Sequence, residues 1–302
     1  MRIAAPETEQ EAVVSGRSLD HLVLAVKDLA AAAEHWAALG FQTTPPAQHP
    51  FGTGNRLVQF GNGSFLELLA VTEAEKVPGH TVSRYSFARH NADFLDRREG
   101  LSFLVLGTDD ARRDHGAFWR AGLQVFEPVD FERDALLPDG TTGRVAFSLV
   151  FPREAERPSL PLFLCQQRAP EVFWQEAYQR HPNGALGIVE TVAVSADPEE
   201  QAPFLAQVAG DDAVAMADGE LVVRLANGRL RLIPPARLPL EYLGVRALPE
   251  RLYLAGFTVA VADLGALTRH LDAGKVSYAQ VGGTVTILPA RSHGVALRFV
   301  GG

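Results

Sequence analysis

The sequence has 302 residues, 47% of them hydrophobic and 21% charged, which is enough for two domains with substantial cores. Its formal net charge of −8 makes nucleic acid and anionic membrane surfaces unfavourable partners. The only cysteine, Cys165, excludes an intramolecular disulfide and a Cys-rich zinc site. The acidic start lacks the apolar core of a signal peptide, and charges interrupt every apolar run before the roughly 18 residues of a membrane span. We therefore expect a soluble, cytoplasmic protein.

Four segments share one plan, in which an apolar strand is followed by an Asp, a helix-like run and a Gly. They read HLVLAVKDLAAAAEHWAALG, FLVLGTDDARRDHGAFWRAG, ETVAVSADPEEQAPFLAQVAG and GFTVAVADLGALTRHLDAG. The residues suited to cap the helix N-termini are Asp28, Asp109, Asp197 and Asp263. The residues suited to a left-handed C-terminal position are Gly40, Gly122, Gly210 and Gly274.

Strand-like segments joined by turns follow each of these glycines. In the first unit they cover 41–44, 55–61 and 64–71, with Gly-Asn-Gly as a hairpin turn. In the third unit Asn227 and Gly228 form a strong hairpin signal. The repeated unit is therefore strand–helix–strand–strand–strand, and four copies in register indicate an internal duplication.

An aromatic-rich segment separates the second unit from the third and predicts a packed connector rather than a flexible linker. We expect Phe173 and Trp174 to be buried between two domains. The predicted divisions are an N-terminal arm that is a candidate for disorder (1–17), a first domain (18–170), the connector (171–184) and a second domain (185–302).

Glu67 stands in the middle of the apolar strand FLELLAV, where an unpaired buried carboxylate costs several kcal/mol or takes up a proton. Alternation along a strand places Glu67 on one face with Phe65, and His21 on one face with Val23. If both faces line one cavity, Glu67 meets a metal, a substrate or His21. An imidazole with a carboxylate suits Zn²⁺, Fe²⁺, Mn²⁺ or Ni²⁺. The alternative is a hydrogen-bonded pair with a purely structural role.

Four stretches carry a family resemblance: LDHLVLAVKDL, LGF, HPFGTGNRLVQFGNGSFLELLAV and HPNGA. They resemble the vicinal oxygen chelate superfamily, which comprises the glyoxalase, bleomycin-resistance and extradiol dioxygenase group, and above all its glyoxalase-like branch. The resemblance implies an α+β fold in which four tandem βαβββ modules pair into two curled mixed sheets, each around a cavity. It also implies a small-molecule substrate and a divalent metal held by His21 and Glu67. A homodimer is compatible with this architecture.

The second unit departs from that pattern. Counting from Asp109 places Ser102 or Phe103 at the position of its histidine, and Cys165 or Gln166 lies near its glutamate position. Two protein ligands alone would hold a metal weakly, so a third must come from elsewhere or the site is metal-free. The candidate donors, which the sequence does not rank, are His49, His181 and Cys165.

The loop HPFGTGN lacks the Lys and the following helix of a P-loop, so no nucleotide cofactor is expected. We expect His49, Thr53 and Asn55 at the cavity mouth, where they bind substrate, although the loop is also compatible with an ordinary turn. His181, in the turn-like sequence HPNG, is a further candidate for substrate binding. The run over 89–100 reads as a charged surface segment or an active-site flap.

Two functions remain open. The first is an enzyme of the lyase, isomerase or dioxygenase type, in which Glu67 is both metal ligand and catalytic proton carrier. The second is a metal-free protein that binds or sequesters a small molecule. In the second domain, Glu190 takes the place of His21 and Arg298 the place of Glu67. We expect these two side chains to form an ion pair in place of a metal.

Overall fold

The computed structural model describes residues 16–242, 245 and 247–302, so nearly all of the predicted N-terminal arm lies outside the described residues. The helices are α1 (Leu29–Ala38), α2 (Phe87–Leu95), α3 (Ala111–Arg120), α4 (Pro170–Phe173), α5 (Ala202–Ala209), α6 (Leu238–Glu241) and α7 (Leu264–Ala273). The strands of the first half are β1 (Leu19–Ala25), β2 (Ala47–Gln48), β3 (Thr53–Gln59), β4 (Phe65–Val71), β5 (Gly100–Gly107), β6 (Gln124–Val125), β7 (Val129–Leu136), β8 (Thr142–Val150), β9 (Pro152–Arg153) and β10 (Leu162–Gln167). Those of the second half are β11 (Ala185–Ser195), β12 (Val214–Ala217), β13 (Glu220–Leu225), β14 (Gly228–Ile233), β15 (Leu252–Val261), β16 (Ala279–Val281), β17 (Thr284–Ile287) and β18 (Ala296–Gly301).

The strands form two eight-stranded mixed sheets, which confirms the predicted α+β fold of paired modules. The first sheet has the order β2-β3-β4-β1-β5-β10-β8-β7, and the second has the order β12-β13-β14-β11-β15-β18-β17-β16. Each module pairs its first strand with its last in parallel, as β1 does with β4. Two modules then join through an antiparallel pair, β1 with β5 and β11 with β15. The small strands β6 and β9 pair with each other.

The predicted N-terminal helix caps are confirmed at two of the four positions. Asp28 accepts hydrogen bonds from the backbone of the first turn of α1, and Asp263 does the same for α7. In the second module the cap is Asp110 rather than Asp109, because the helix begins one residue later than expected. Asp197 makes no side-chain cap bond, since a 3₁₀ turn opens that module's helix.

The predicted left-handed glycines are confirmed in three modules, where their φ angles are positive. These values are +86° for Gly40, +84° for Gly122 and +105° for Gly210. Gly274 has a φ of −79°, and Lys275 takes the left-handed conformation in its place.

The two faces of each strand in the first sheet pack in different cores. Leu22 and Leu24 of β1 face the helices and join a cluster with Trp36, which extends into the second half of the chain. His21 and Val23 face the concave side of the same sheet, where a separate, mainly aromatic cluster lies. The alternation of side chains along β1 therefore sends polar residues into an apolar cavity.

The two sheets pack against each other through α1 and the loop that follows it. The Trp36 ring stacks on Phe257 at 6.2 Å between ring centroids, and Phe41 stacks on Phe299 at 5.9 Å. The prediction that the connector aromatics lie between the domains is wrong for Phe173. Its ring belongs to the concave cluster of the first sheet, because the connector folds back over the open edge of that cavity.

Two hairpin turns also link the halves reciprocally. The Asn227 side chain accepts a hydrogen bond from the Leu19 amide at 2.8 Å and donates one to the Leu19 carbonyl at 2.9 Å. In return, the Asn62 side chain donates to the carbonyl of Ile188 at 3.0 Å. Each turn thus contacts the first strand of the other half. No helix in the described ranges combines the length and apolar character needed to cross a membrane.

Candidate active site in the first sheet

The concave side of the first sheet encloses a cavity of about 30 Å³, which is room for about two water molecules. Its wall is mostly phenyl rings, contributed by Phe51, Phe65, Phe87, Phe131, Phe147, Phe163 and Phe173. The polar side chains that reach it are His21, His49, Asn55, Glu67, Arg133 and Cys165. Because the rings close the cavity, an organic molecule enters only when some of them move.

His21 is held in a defined orientation by a carboxylate. Its Nδ1–H donates to Oδ2 of Asp20 at 2.7 Å, and the Gln167 side chain donates to the other oxygen of Asp20 at 2.7 Å. The imidazole also stacks on Phe65 at 4.2 Å between ring centroids. Its Nε2 is left as an acceptor and lies 3.7 Å from Oε2 of Glu67. A carboxylate behind the imidazole is the usual support of a metal-binding histidine.

Glu67 is linked to two residues of the predicted substrate loop. The amide nitrogen of Asn55 donates to Oε1 of Glu67 at 2.6 Å and to Nε2 of His49 at 3.2 Å. The Nδ1–H of His49 donates in turn to the hydroxyl of Thr53 at 2.8 Å. Thr53 is not among the residues that line the cavity, so within this chain of hydrogen bonds it supports His49.

Burial dominates the protonation behaviour of these groups. It raises the pKa of Glu67, although the nearby imidazole of His21 and the hydrogen bond from Asn55 act in the opposite direction. It lowers the pKa of His49 well below the ordinary value, and the positive charge of Arg133 lowers it further. A neutral His49 agrees with its role as acceptor from the Asn55 amide.

Arg133 of β7 is a functional candidate that sequence reasoning missed. Its side chain lines the cavity, the residue is only 7% exposed, and its Nε has no hydrogen-bond partner among the described residues. Burial lowers its pKa, and the negative charge of Glu67 raises it. A buried guanidinium with an unpaired donor is costly unless something polar meets it.

The second module supplies phenyl rings where the first supplies ligands. Val23 lies five residues before the cap Asp28 and is in register with Glu67. Val105 lies five residues before the cap Asp110 and is in register with Phe163. Phe163, rather than Cys165 or Gln166, therefore occupies the glutamate position of this module. By the same count from Asp110, Phe103 occupies the histidine position, and the two rings meet at 5.1 Å between centroids.

Of the candidate third donors, His49 approaches Glu67. Its Nε2 accepts from the Asn55 amide and lies 3.8 Å from Oε1 of Glu67. His181 lies outside the cavity lining, accepts from the backbone amide of Gln42 at 3.0 Å and donates to the carbonyl of Gln59 at 2.8 Å. Burial and the nearby carboxylate of Asp20 raise the pKa of the Cys165 thiol. Within the described ranges, no three or more His, Cys, Asp and Glu side chains group to hold a metal ion.

His21 and Glu67 nevertheless fit the requirements of two ligands on one ion. Two atoms each about 2.1 Å from a metal lie about 3.0–3.4 Å apart, slightly less than the 3.7 Å observed between Nε2 and Oε2. Asp20 fixes the imidazole with its acceptor nitrogen toward the carboxylate. The remaining coordination positions would fall to water or to oxygen atoms of a bound molecule.

The segment predicted as a charged surface run is largely the amphipathic helix α2. Phe87 at its start lines the cavity, and Asn91 and Phe94 are buried. Nδ1 of His90 accepts a hydrogen bond from the Tyr85 hydroxyl at 2.7 Å, and the imidazole packs on Phe103 at 4.1 Å between ring centroids. Burial, with the charge of Arg153 as a smaller cause, lowers the pKa of His90 to about 3.

In the second sheet the predicted ion pair between Glu190 and Arg298 is wrong. Glu190 accepts from Nε of Arg229 at 2.7 Å, and its other oxygen lies 3.6 Å from Nη1 of Arg231. The guanidinium of Arg298 instead lies over the Tyr242 ring, 4.9 Å from its centroid. The reason is that β14, which carries Arg229 and Arg231, pairs directly with the strand of Glu190, so these two arginines contact its carboxylate.

Residues 19–209, more than half of the chain, match the family model of the glyoxalase-like domain. No curated protein sequence gives a significant match.

Solved structures show the same fold over nearly the whole chain. A hypothetical protein from Staphylococcus aureus has a TM-score of 0.66 at 14% identity and covers 94% of this chain and 98% of its own. A mutant 4-hydroxymandelate synthase from Streptomyces coelicolor has a TM-score of 0.53 at 14% identity, covering 94% and 92%. The Mn(II)-bound glyoxalase from Novosphingobium aromaticivorans has a TM-score of 0.55 at 12% identity, covering 94% and 82%.

Proposed function

We propose, since this chain belongs to the glyoxalase-like domain family, that its first-sheet cavity is the active site of an enzyme acting on a small oxygen-bearing organic molecule. The observation that carries the proposal is the buried pair of His21 and Glu67, 3.7 Å apart, with Asp20 fixing the imidazole. The reaction belongs to the lyase, isomerase or dioxygenase type.

His21 and Glu67 are the residues that would hold a divalent cation, through Nε2 and Oε2. A bound cation supplies Lewis-acid polarisation of a carbonyl or enediolate oxygen. The manganese-bound glyoxalase among the structural neighbours supports this choice of cofactor. Zinc, iron and nickel suit the same pair of donors.

The other polar residues of the cavity orient the substrate and handle its proton. Arg133 donates from its unpaired Nε to a second substrate oxygen, so compounds with two neighbouring oxygens are preferred. Glu67 takes the substrate proton and returns it, while the Asn55 amide keeps its carboxylate in place. The ring of phenyl groups excludes water once the substrate is enclosed.

The decisive experiment is metal analysis of protein purified without chelator and then dialysed against Mn²⁺ or Zn²⁺. We expect close to one equivalent of metal in the wild type and loss of most of it in His21→Ala and Glu67→Gln. Glu132→Gln, on an exposed position of β7, is the matched control and should keep its metal. Wild-type metal content in both cavity variants would contradict the assignment.

A second candidate function is metal-free binding or sequestering of a small molecule. It is favoured by the phenyl rings Phe103 and Phe163 at the two positions where a complete metal site would have further ligands. Protein that takes up no metal in any preparation, yet binds an organic ligand tightly and loses it in Glu67→Gln, would support this function over the enzyme.

A further inference from the structure

A second, larger cavity lies against the second sheet and is distinct from the proposed active site. It is an open cleft of about 690 Å³, within the range of small-molecule sites, whereas the first-sheet cavity measures about 30 Å³. Charged side chains dominate its lining, namely Glu190, Arg224, Arg229, Arg231, Glu241 and Arg298. Four arginines in one cleft contrast with the acidic character of the whole chain.

Most of the charges in this cleft neutralise one another. Arg229 pairs with Glu190, and Arg231 forms a two-pronged pair with Glu241 at 2.8 and 3.0 Å. Neither carboxylate therefore presents an unbalanced negative charge to an incoming anion.

Arg298 differs from Arg229 and Arg231 in having no carboxylate partner in the part of the chain that the structure describes. Within the described residues it forms no ion pair, and its Nε has no hydrogen-bond partner. Its guanidinium carbon lies 4.9 Å from the centroid of the Tyr242 ring, which holds the group in place at the cleft. A planar fork of donors fixed in this way matches the two oxygens of a carboxylate or phosphate group.

A buried hydroxyl lies beside this guanidinium. Thr258 of β15 is in register with Arg298 of β18, lines the same cleft and is only 4% exposed. Its Oγ1 has no hydrogen-bond partner among the described residues. A buried hydroxyl and a guanidinium donor that both lack partners, side by side in one cleft, form a small set of donors without an acceptor.

We propose that the cleft of the second sheet binds a small organic oxyanion, with a carboxylate or phosphate ester bridging Arg298 and Thr258. The apolar side chains of Leu225 and Val300 line the same cleft and contact the organic body of the ligand. The second domain is then a ligand-binding domain in its own right, built on the register position that carries Glu67 in the first module.

The test uses calorimetric titration of the full chain with phenyl phosphate, benzoate and benzyl alcohol, which share one ring and differ in the charged group. We expect one or both anions to bind at least tenfold more tightly than the neutral alcohol, and the stronger anion identifies the ligand chemistry. Arg298→Met, which keeps the apolar stem over Tyr242, should lose at least tenfold of this affinity. Arg269→Met, on the exposed side of α7, should keep it.

Further variants keep the result decisive. Arg298→Lys should bind with intermediate affinity, because it keeps the charge and loses the fork, and Thr258→Val should lose a few-fold. Thermal melts establish that each variant is folded. If Arg298→Met does not fold, the loss of affinity in Thr258→Val is the test of the proposal.

Two results would overturn the proposal. One is equal affinity for the anions and the alcohol. The other is loss of anion binding in Arg133→Met together with wild-type binding in Arg298→Met, which would place the anion in the first-sheet cavity. Neither result bears on metal uptake by His21 and Glu67, so failure here is distinguishable from failure of the proposed enzyme.

Discussion

The two sheets share one topology but carry opposite chemistry at equivalent register positions. In the first module, Val23 lies five residues before the helix cap and is in register with Glu67. In the third module the equivalent pair is Val192 with Arg231, and in the fourth it is Thr258 with Arg298. A carboxylate therefore faces the first cavity where guanidinium groups face the second.

The difference shows that the fold fixes where a side chain points and leaves its chemistry free. The first cavity is closed by phenyl rings, so its few polar groups lie in a low-dielectric environment where charge interactions are strong. The second is open, and ion pairs between arginines and carboxylates line it. Duplication supplied the positions, and substitution at those positions reversed the sign of the charge, which is why we propose a cation for the first cavity and an anion for the second.

The largest effect is expected from restoring a ligand in the second module. Phe163→His places an imidazole at the register position equivalent to Glu67, on a ring that lies 5.8 Å from His21. A third donor should tighten Zn²⁺ or Mn²⁺ binding by on the order of 100-fold. Competition with a chelating dye measures this, and Phe147→His on β8 is the control. Unchanged affinity in a folded Phe163→His protein would mean that the phenyl ring does not occupy a ligand position.

The same substitution in the two cavities should have different effects on stability. Glu190→Gln removes the carboxylate that Arg229 and Arg231 share, and we expect the free energy of unfolding to fall by about 2 kcal/mol. Glu67→Gln removes a buried charge and keeps the acceptor for Asn55. We therefore expect the free energy of unfolding to fall by less than about 0.5 kcal/mol, or to rise. Urea denaturation compares the two. Equal losses would contradict the view that Glu67 serves the site rather than the fold.

The fold and half of the candidate site could be predicted from the sequence. Four in-register repeats, together with the family resemblance, predicted the paired modules. The resemblance also predicted that His21 and Glu67 meet in one cavity, and strand alternation was compatible with that placement. The same alternation rule applies to Arg133, which sequence reasoning missed. Arg133 shares the less exposed face of β7 with Phe131 and Ala135. An arginine on that face carries the same signal as a glutamate in an apolar strand.

Other features could not be read from the sequence because they depend on contacts distant along the chain. The partners of Glu190 follow from the register of β11 with β14, and nothing local distinguishes Arg229 from Arg298. The position of the Phe173 ring in the first-sheet cavity depends on which sheet edge the connector covers. The predicted domain limits, the homodimer and the roles of the site residues stay predictions.

A smaller effect is expected at the reciprocal turns that join the halves. Asn227→Ala removes both hydrogen bonds to Leu19 and leaves that strand's first amide without its partner, which should cost about 1.5 kcal/mol. Asn62→Ala removes the bond to Ile188 at 3.0 Å, a longer one to the Asn227 carbonyl, and the two bonds that Oδ1 accepts from the amide and hydroxyl of Ser64, so we expect a loss of similar size. Urea denaturation ranks the two variants. A larger loss for Asn62→Ala would show that the second half depends on the turn contact more than the first.

The smallest effect is expected in the loss of stability at acidic pH. The first half of the chain carries a buried neutral histidine, His90, whereas the second sheet carries ion pairs. The pKa of His90 is lowered to about 3 in the folded protein, whereas an exposed histidine has a pKa near 6.5. Between these values the unfolded chain binds a proton that the folded chain does not, so stability falls as the pH falls through that window. His90 alone should account for about 1 kcal/mol of the loss between pH 6 and pH 5, and His90→Gln should remove that share of the slope. NMR titration provides the direct check, because the His90 ring should stay neutral at pH 4.5. A His90 resonance that titrates near pH 6.5 would show that the helix α2 does not bury it against Phe103.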